Sequence, residues 1–158
     1  MFECRENDKY YTPKSVWEDI KDYIPKDKVI WESFYGDGKS GDYLKELGFE
    51  VIHEPIDFFT NNKGDIVVSN PPFSMCKKII NRLVDIEKPF ILLLPVQKMC
   101  FQYFMAWGKN NKDFQIIIPK RRIQFDYEGK DVSKKRVSKF DCLYYCWKIG
   151  LENDINFL

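Results

Sequence analysis

The sequence predicts a doubly wound α/β sheet, and three observations carry that expectation. Short apolar runs of strand length alternate with segments whose apolar residues recur at helical spacing. A strand, a glycine-rich loop, a helix and a second strand follow one another as a βαβ unit, which requires parallel strands and a right-handed crossover. The 158 residues suit one domain, 1–158, and 44% apolar with 16% aromatic side chains is enough to fill its core.

Each element has its own signal. Thr12 as N-cap, Pro13 at the first helical position, and Val16, Trp17, Ile20, Tyr23 and Ile24 at helical spacing predict a helix that Pro25 ends. A strand over 29–31 leads into a loop holding Gly36, Gly38 and Gly41; a helix over 42–47 stops at Gly48, and 49–52 is the second strand. The strand at 65–69 is apolar enough to be buried on both faces and breaks at Asn70-Pro71-Pro72-Phe73. Ile79, Ile80, Leu83 and Val84 mark a helix reaching Asp85, and Pro89 and Pro95 bracket a buried strand over 90–94. An aromatic-rich helix over 97–107 and strands over 114–118 and 140–149 complete the pattern. Between the last two lies a loop or hairpin with Glu128-Gly129 as its turn signal.

Composition narrows the function classes. The longest apolar run, 90–94, is too short to span a bilayer, and the first residues lack the basic start and apolar stretch of a signal peptide. A cytoplasmic protein, or one working inside a host cell, without membrane contact is expected. Five scattered cysteines (Cys4, Cys76, Cys100, Cys142 and Cys146) without a C-x-x-C pair, and a single histidine, His53, argue against a disulfide framework or a metal centre. Buried reduced thiols are the expectation for all five.

The net charge of +1 conceals an asymmetry: 9 basic against 15 acidic side chains through residue 70, then 16 against 9. The basic excess concentrates in 119–139, where Lys120, Arg121, Arg122, Lys130, Lys134, Lys135, Arg136 and Lys139 face three acids. A solvated loop is the ordinary reading of such a run, and a phosphate-contacting surface the functional one.

Two stretches carry chemistry. Gly36-Asp37-Gly38-Lys39-Ser40-Gly41 fits G-x-G-x-x-G between a strand and a helix, where backbone N–H groups can approach a nucleotide-type ligand such as NAD. A P-loop would need glycine at position 33, where Ser33 stands. Asn70-Pro71-Pro72-Phe73 follows a buried strand, at the sheet end where ligands bind. A side-chain amide oxygen and a carbonyl preceding proline offer two acceptors for an exocyclic amino group, and an adjacent aromatic ring can stack on its base. A flipped adenine suits that set.

In motif order the chain resembles the class I S-adenosylmethionine-dependent N6-adenine methyltransferases, the NPPF type, small and phage- or virus-like, with no separate target-recognition domain. The resemblance implies their Rossmann-like fold with an antiparallel last strand, abridged between the third and fourth strands because only 60–64 is left for the usual helix. It places Tyr11-Thr12-Pro13 at the methionine end of the cofactor and Glu32, Phe34, Gly36 and Gly38 in the acid-x-Phe-x-Gly-x-Gly cofactor loop. Glu54 falls on the ribose hydroxyls, Asp57 and Phe58 on the cofactor adenine, and Asn70 to Phe73 form the catalytic tetrapeptide, with Asn70 also near the cofactor. Arg122-Ile123-Gln124-Phe125 resembles an Arg-Ile-x-Phe element near the target base; with Lys134, Lys135 and Arg136 it gives the nucleic-acid set.

The activity implied is methyl transfer to adenine N6 in nucleic acid, DNA favoured over RNA. A homodimer or partner subunit would supply sequence specificity. The alternatives are an RNA adenine or protein glutamine acceptor, or a catalytically silent nucleic-acid-binding subunit of the same fold.

Overall fold

The computed structural model describes residues 10–127 and 140–158. The first half runs β1 (Tyr10–Tyr11), α1 (Lys14–Ile20), β2 (Ile30–Trp31), α2 (Lys39–Glu46), β3 (Val51–Ile52), β4 (Ile66–Ser69) and α3 (Cys76–Asp85). Then come β5 (Phe90–Pro95), α4 (Gln102–Asn110), β6 (Phe114–Ile118), β7 (Asp126–Tyr127), β8 (Cys142–Trp147) and β9 (Ile155–Phe157).

Seven strands form a Rossmann-like sheet in the order β3-β2-β4-β5-β8-β6-β9. All neighbours are parallel except at β8, which runs antiparallel to both β5 and β6. Side chains on successive strand residues point to opposite faces, and the helices divide accordingly. Ile30, Ile66, Val68, Ile91 and Leu93 pack with Val16, Trp17 and Ile20 of α1 and Leu44 of α2. Trp31, Val67, Phe90, Leu92 and Leu94 pack with Ile79, Ile80 and Leu83 of α3 and Phe104 of α4. The sheet is therefore doubly wound, as its two-sided apolar strands required.

Several boundaries shift. The first helix starts at Lys14, with Pro13 rather than Thr12 at the N-cap, and Thr12 is buried. It stops at Ile20 and tightens into a turn in which Tyr23 N–H donates to the Ile20 carbonyl, because Pro25 disfavours helical backbone at Ile24. The second helix begins three residues early, at Lys39, where the Asp37 carboxylate accepts from the Lys39 N–H at 3.1 Å. The helix expected over 97–107 divides into a 3-10 turn, Val96–Cys100, and α4, with Phe101 extended between them.

Three short strands, β1, β7 and β9, had no periodic signal. Between β3 and β4 the described chain forms only turns, so the abridgement is real. Lys88 fixes it: the buried ammonium donates to the Gly64 carbonyl at 2.6 Å, and burial pushes its pKa down. Cys76, Cys142 and Cys146 are buried free thiols, and burial pushes the last two far up. Cys100 is exposed, which corrects the expectation for that thiol; it lies in the 3-10 turn, outside both cores. Cys4 lies outside the described residues. Among the described residues no helix is long and apolar enough to cross a membrane, and no His, Cys, Asp and Glu cluster could hold a metal.

Candidate active site

β2 and β4 are parallel neighbours, so the glycine loop and the Asn70 tetrapeptide leave the sheet at the same end. With β1 and the turn at 55–59 they enclose a cavity of about 670 Å³. Seven residues expected at a site line it: Tyr11, Phe34, Gly36, Asp57, Phe58, Asn70 and Pro72. Ser33, Tyr35, Ile56 and Phe59, which lie inside the two cofactor stretches, line it as well, as do Tyr10, Pro55 and Met75, which were not anticipated. For those last three, nearness to motif residues in the chain was the available signal. Thr12, Glu32, Gly38, Glu54, Pro71, Phe73, Arg122 and Phe125 are outside that lining.

Asn70 is held in one orientation. Its Nδ2 donates to the Tyr10 carbonyl at 3.1 Å, while Oδ1 is buried and has no hydrogen-bond partner among the described residues. Ser33 also lines the cavity, and its hydroxyl is likewise buried with no partner among the described residues. A buried unpaired acceptor or donor costs about 1–3 kcal/mol, so such groups in residues that line a cavity suit a polar ligand.

The anchor of Asn70 depends on a pairing the sequence did not reveal. β1 and β7 form an antiparallel ribbon, with Tyr10 opposite Tyr127 and Tyr11 opposite Asp126. This ribbon brings the Tyr11-Thr12 stretch and the Arg122–Phe125 stretch to one side of the cavity. Tyr10, Phe73, Phe125 and Phe140 form an edge-to-face cluster, with Phe73 to Phe140 at 5.1 Å and Tyr10 to Phe125 at 5.8 Å. Ile123 is buried in the core, while Arg122 pairs through Nε with Asp141 at 2.9 Å on the surface. Lys134, Lys135 and Arg136 lie outside the described residues.

On the opposite wall Asp57 closes its own turn: Oδ1 accepts from the Phe59 N–H at 2.6 Å, and Asn61 Nδ2 donates to the Asp57 carbonyl at 2.9 Å. Phe58, 2% exposed, packs at 4.9 Å on Phe34 and 5.4 Å on Trp31. The wall is thus an apolar shelf edged by one carboxylate. Glu54 is exposed beside Pro55, which lines the cavity.

Glu32 points inward, not into the cavity. Its Oε1 accepts from the Ser69 hydroxyl, and its Oε2 lies 2.7 Å from His53 Nε2, both side chains being buried. The pair is a close ion pair whose ring N–H is not aligned as a linear hydrogen bond. Burial of the imidazole opposes its charge, but Glu32 and a hydrogen bond with the Tyr35 backbone outweigh that, holding the pKa above the ordinary 6.5. Gly41 is what admits the ring. A Cβ there would fall 1.9 Å from His53 Nδ1, so the third glycine of the loop serves close packing. Gly36 and Gly38 instead take positive φ, +55° and +86°, which turns the loop over the cavity.

A Rossmann-like sheet with a glycine loop, an apolar shelf and an oriented amide at its strand ends is an arrangement that suits a nucleotide-like ligand beside a polar group. No family model matches the chain. It is similar to the type II methyltransferase M.EcoRI of Escherichia coli, 31% identical over 86 residues, covering 54% of this chain and 23% of that protein. It is also similar to the type II methyltransferase M.MgeORF184P of Mycoplasma genitalium, 26% identical over 112 residues, covering 60% of this chain and 32% of that protein. The chain thus spans less than a third of the length of either relative.

Proposed function

We propose that the protein transfers a methyl group from S-adenosylmethionine to the N6 amino group of adenine in nucleic acid, with DNA ahead of RNA as the acceptor. The observation that carries this reading is Asn70, a residue of the cavity lining pinned through Nδ2 by the Tyr10 carbonyl and left with a buried Oδ1 that has no partner among the described residues. Likeness to two proteins named type II methyltransferases supports it.

The residues present fit the cofactor. Tyr11, Phe34, Gly36, Asp57 and Phe58 on the cavity wall would hold it, with the apolar shelf for its adenine. Thr12, next to Tyr11 in the chain, is buried, Gly38 caps α2, and exposed Glu54 beside Pro55 would serve the ribose hydroxyls. When bound, the cofactor supplies an electrophilic methyl group on a sulfonium. The chain's own contribution is electrostatic. Adenine N6 is a poor nucleophile because its lone pair delocalises into the ring. Hydrogen bonds accepted by Asn70 Oδ1 and the Pro71 carbonyl favour a pyramidal nitrogen and stabilise the positive charge that develops on it, acting as preorganised dipoles. Pro72 fixes the backbone between these acceptors and Phe73, whose ring, in edge-to-face contact with Phe140 and Phe125, is the one on which the base stacks. Arg122 and Phe125 would border the base, and the basic segment with Lys134, Lys135 and Arg136 would follow the phosphates. A homodimer or a partner subunit would add sequence specificity.

The test is incubation with a labelled methyl donor and separate DNA, RNA and protein acceptors, for wild type and Asn70→Ala. Wild type should label adenine N6 in DNA. Asn70→Ala should lose transfer and keep cofactor affinity within a few-fold. Substantial turnover by the variant removes Asn70 from the mechanism, and labelling of RNA or protein alone reassigns the acceptor.

A further inference from the structure

The buried chain Ser69–Glu32–His53 has no part in the chemistry above, yet it lies directly behind the cavity. Glu32 follows β2 and Ser69 ends β4, so their contact ties together the strands that carry the two halves of the site. His53 follows β3 and completes the chain from the sheet edge. Its ring stacks on Tyr35 at 4.6 Å with an interplanar angle of 30°, and it bonds to the Tyr35 backbone. Tyr35 is itself a cavity wall, 44% exposed, and its hydroxyl lies 3.3 Å from where a Cβ on Gly38 would stand. The whole turn from Tyr35 to Gly38 therefore rests on one imidazole, accommodated by Gly41.

We infer that His53 is a positioning residue: it ties the Tyr35–Gly38 turn to Glu32 and so sets the shape of the cofactor wall. This rests on the cofactor reading given above. Glu32 is the acid facing the ring from the end of β2, Asp42 acts on it more weakly from α2, and Tyr35 covers its face. Both acids favour the imidazolium. The protonated ring can pair as a cation with the Glu32 carboxylate while donating to the Tyr35 backbone; the neutral ring keeps one N–H and brings no charge to Glu32, so one of the two contacts is lost. The sign follows. Because the folded-state pKa is raised above 6.5, the clamp is complete below pH 6.5 and is lost as pH rises through the folded value.

His53 is the only histidine in the chain, so its imidazole NMR signals report the midpoint without assignment ambiguity. The experiment measures that midpoint together with the S-adenosylmethionine dissociation constant, by titration calorimetry, across the same pH range for wild type and His53→Gln. In wild type the dissociation constant should rise roughly tenfold as pH passes the His53 midpoint, the worth of one hydrogen bond. His53→Gln should bind more weakly at low pH and show no step there. Titration of the ligand's own amino group remains in both profiles, so the difference between them belongs to His53. A wild-type affinity with no step at the midpoint, or an identical step in His53→Gln, overturns the positioning role and leaves the cofactor reading standing. Absence of S-adenosylmethionine binding at every pH overturns both. Where His53→Gln does not fold, the wild-type profile against the NMR midpoint decides alone.

Discussion

Replacing Ser33 by alanine should move stability and ligand affinity in opposite directions. Ser33, which lines the cavity, is 3% exposed, and its buried hydroxyl lacks a hydrogen-bond partner among the described residues. An orphaned buried hydroxyl costs about 1–3 kcal/mol, and alanine removes that cost while deleting one atom. For a chain of this length each kcal/mol moves Tm by about 2–4 °C, so Ser33→Ala should melt several degrees above wild type. If the hydroxyl serves the bound cofactor, the same change removes a hydrogen bond worth about 0.5–1.5 kcal/mol, a roughly two- to twelvefold weaker dissociation constant. Scanning calorimetry without ligand and titration calorimetry with S-adenosylmethionine read the two effects separately. A lower Tm would mean that the hydroxyl is satisfied in the folded protein. An unchanged affinity would place the ligand's polar groups elsewhere in the cavity.

Gly41→Ala should expel the His53 ring, since its Cβ would sit 1.9 Å from Nδ1, and leave Glu32 buried without its cation. A loss of about 3–5 kcal/mol is expected in urea melts, and a wild-type midpoint would show that α2 can shift to make room. Asp57→Ala removes both the bond that closes the 57–59 turn and a carboxylate from the cavity rim, and should weaken cofactor binding by about 1.5–3 kcal/mol in titration calorimetry. The triple change Lys134→Ala, Lys135→Ala and Arg136→Ala should weaken nucleic-acid binding and flatten its log–log salt slope by up to about 0.7–0.9 per lost phosphate contact. Identical slopes would return that stretch to a solvated loop.

The doubly wound sheet was legible because its strongest elements carry their own periodicity. The strand at Phe114–Ile118 has the bounds its apolar run indicated, and β4, β5 and β8 lie within a few residues of theirs. Tyr11, Phe34, Gly36, Asp57, Phe58, Asn70 and Pro72 were legible as a group because they sit in motifs along the chain, and the fold brings those motifs to one cavity. Short strands such as β1 and β7 were not, since two residues carry no period and their pairing spans more than a hundred residues of chain. His53 shows the limit on the other side. In the sequence it is one isolated histidine beside a glutamate, and nothing in its neighbours reveals that its partner is Glu32.

By itself, then, the sequence determined which strands are buried, where the backbone must turn on glycine or stop at proline, and which residue types stand at the strand ends. These are local consequences of side-chain shape, hydrophobic period and backbone freedom. Only the tertiary structure decided that the Tyr10 carbonyl fixes Asn70, that Glu32 turns away from the cavity towards Ser69 and His53, and that Gly41 is needed for a ring rather than a ligand. Each of those depends on atoms from separate elements meeting within hydrogen-bonding or contact distance. That is set by how the whole sheet and its helices pack, and no stretch of chain encodes it alone.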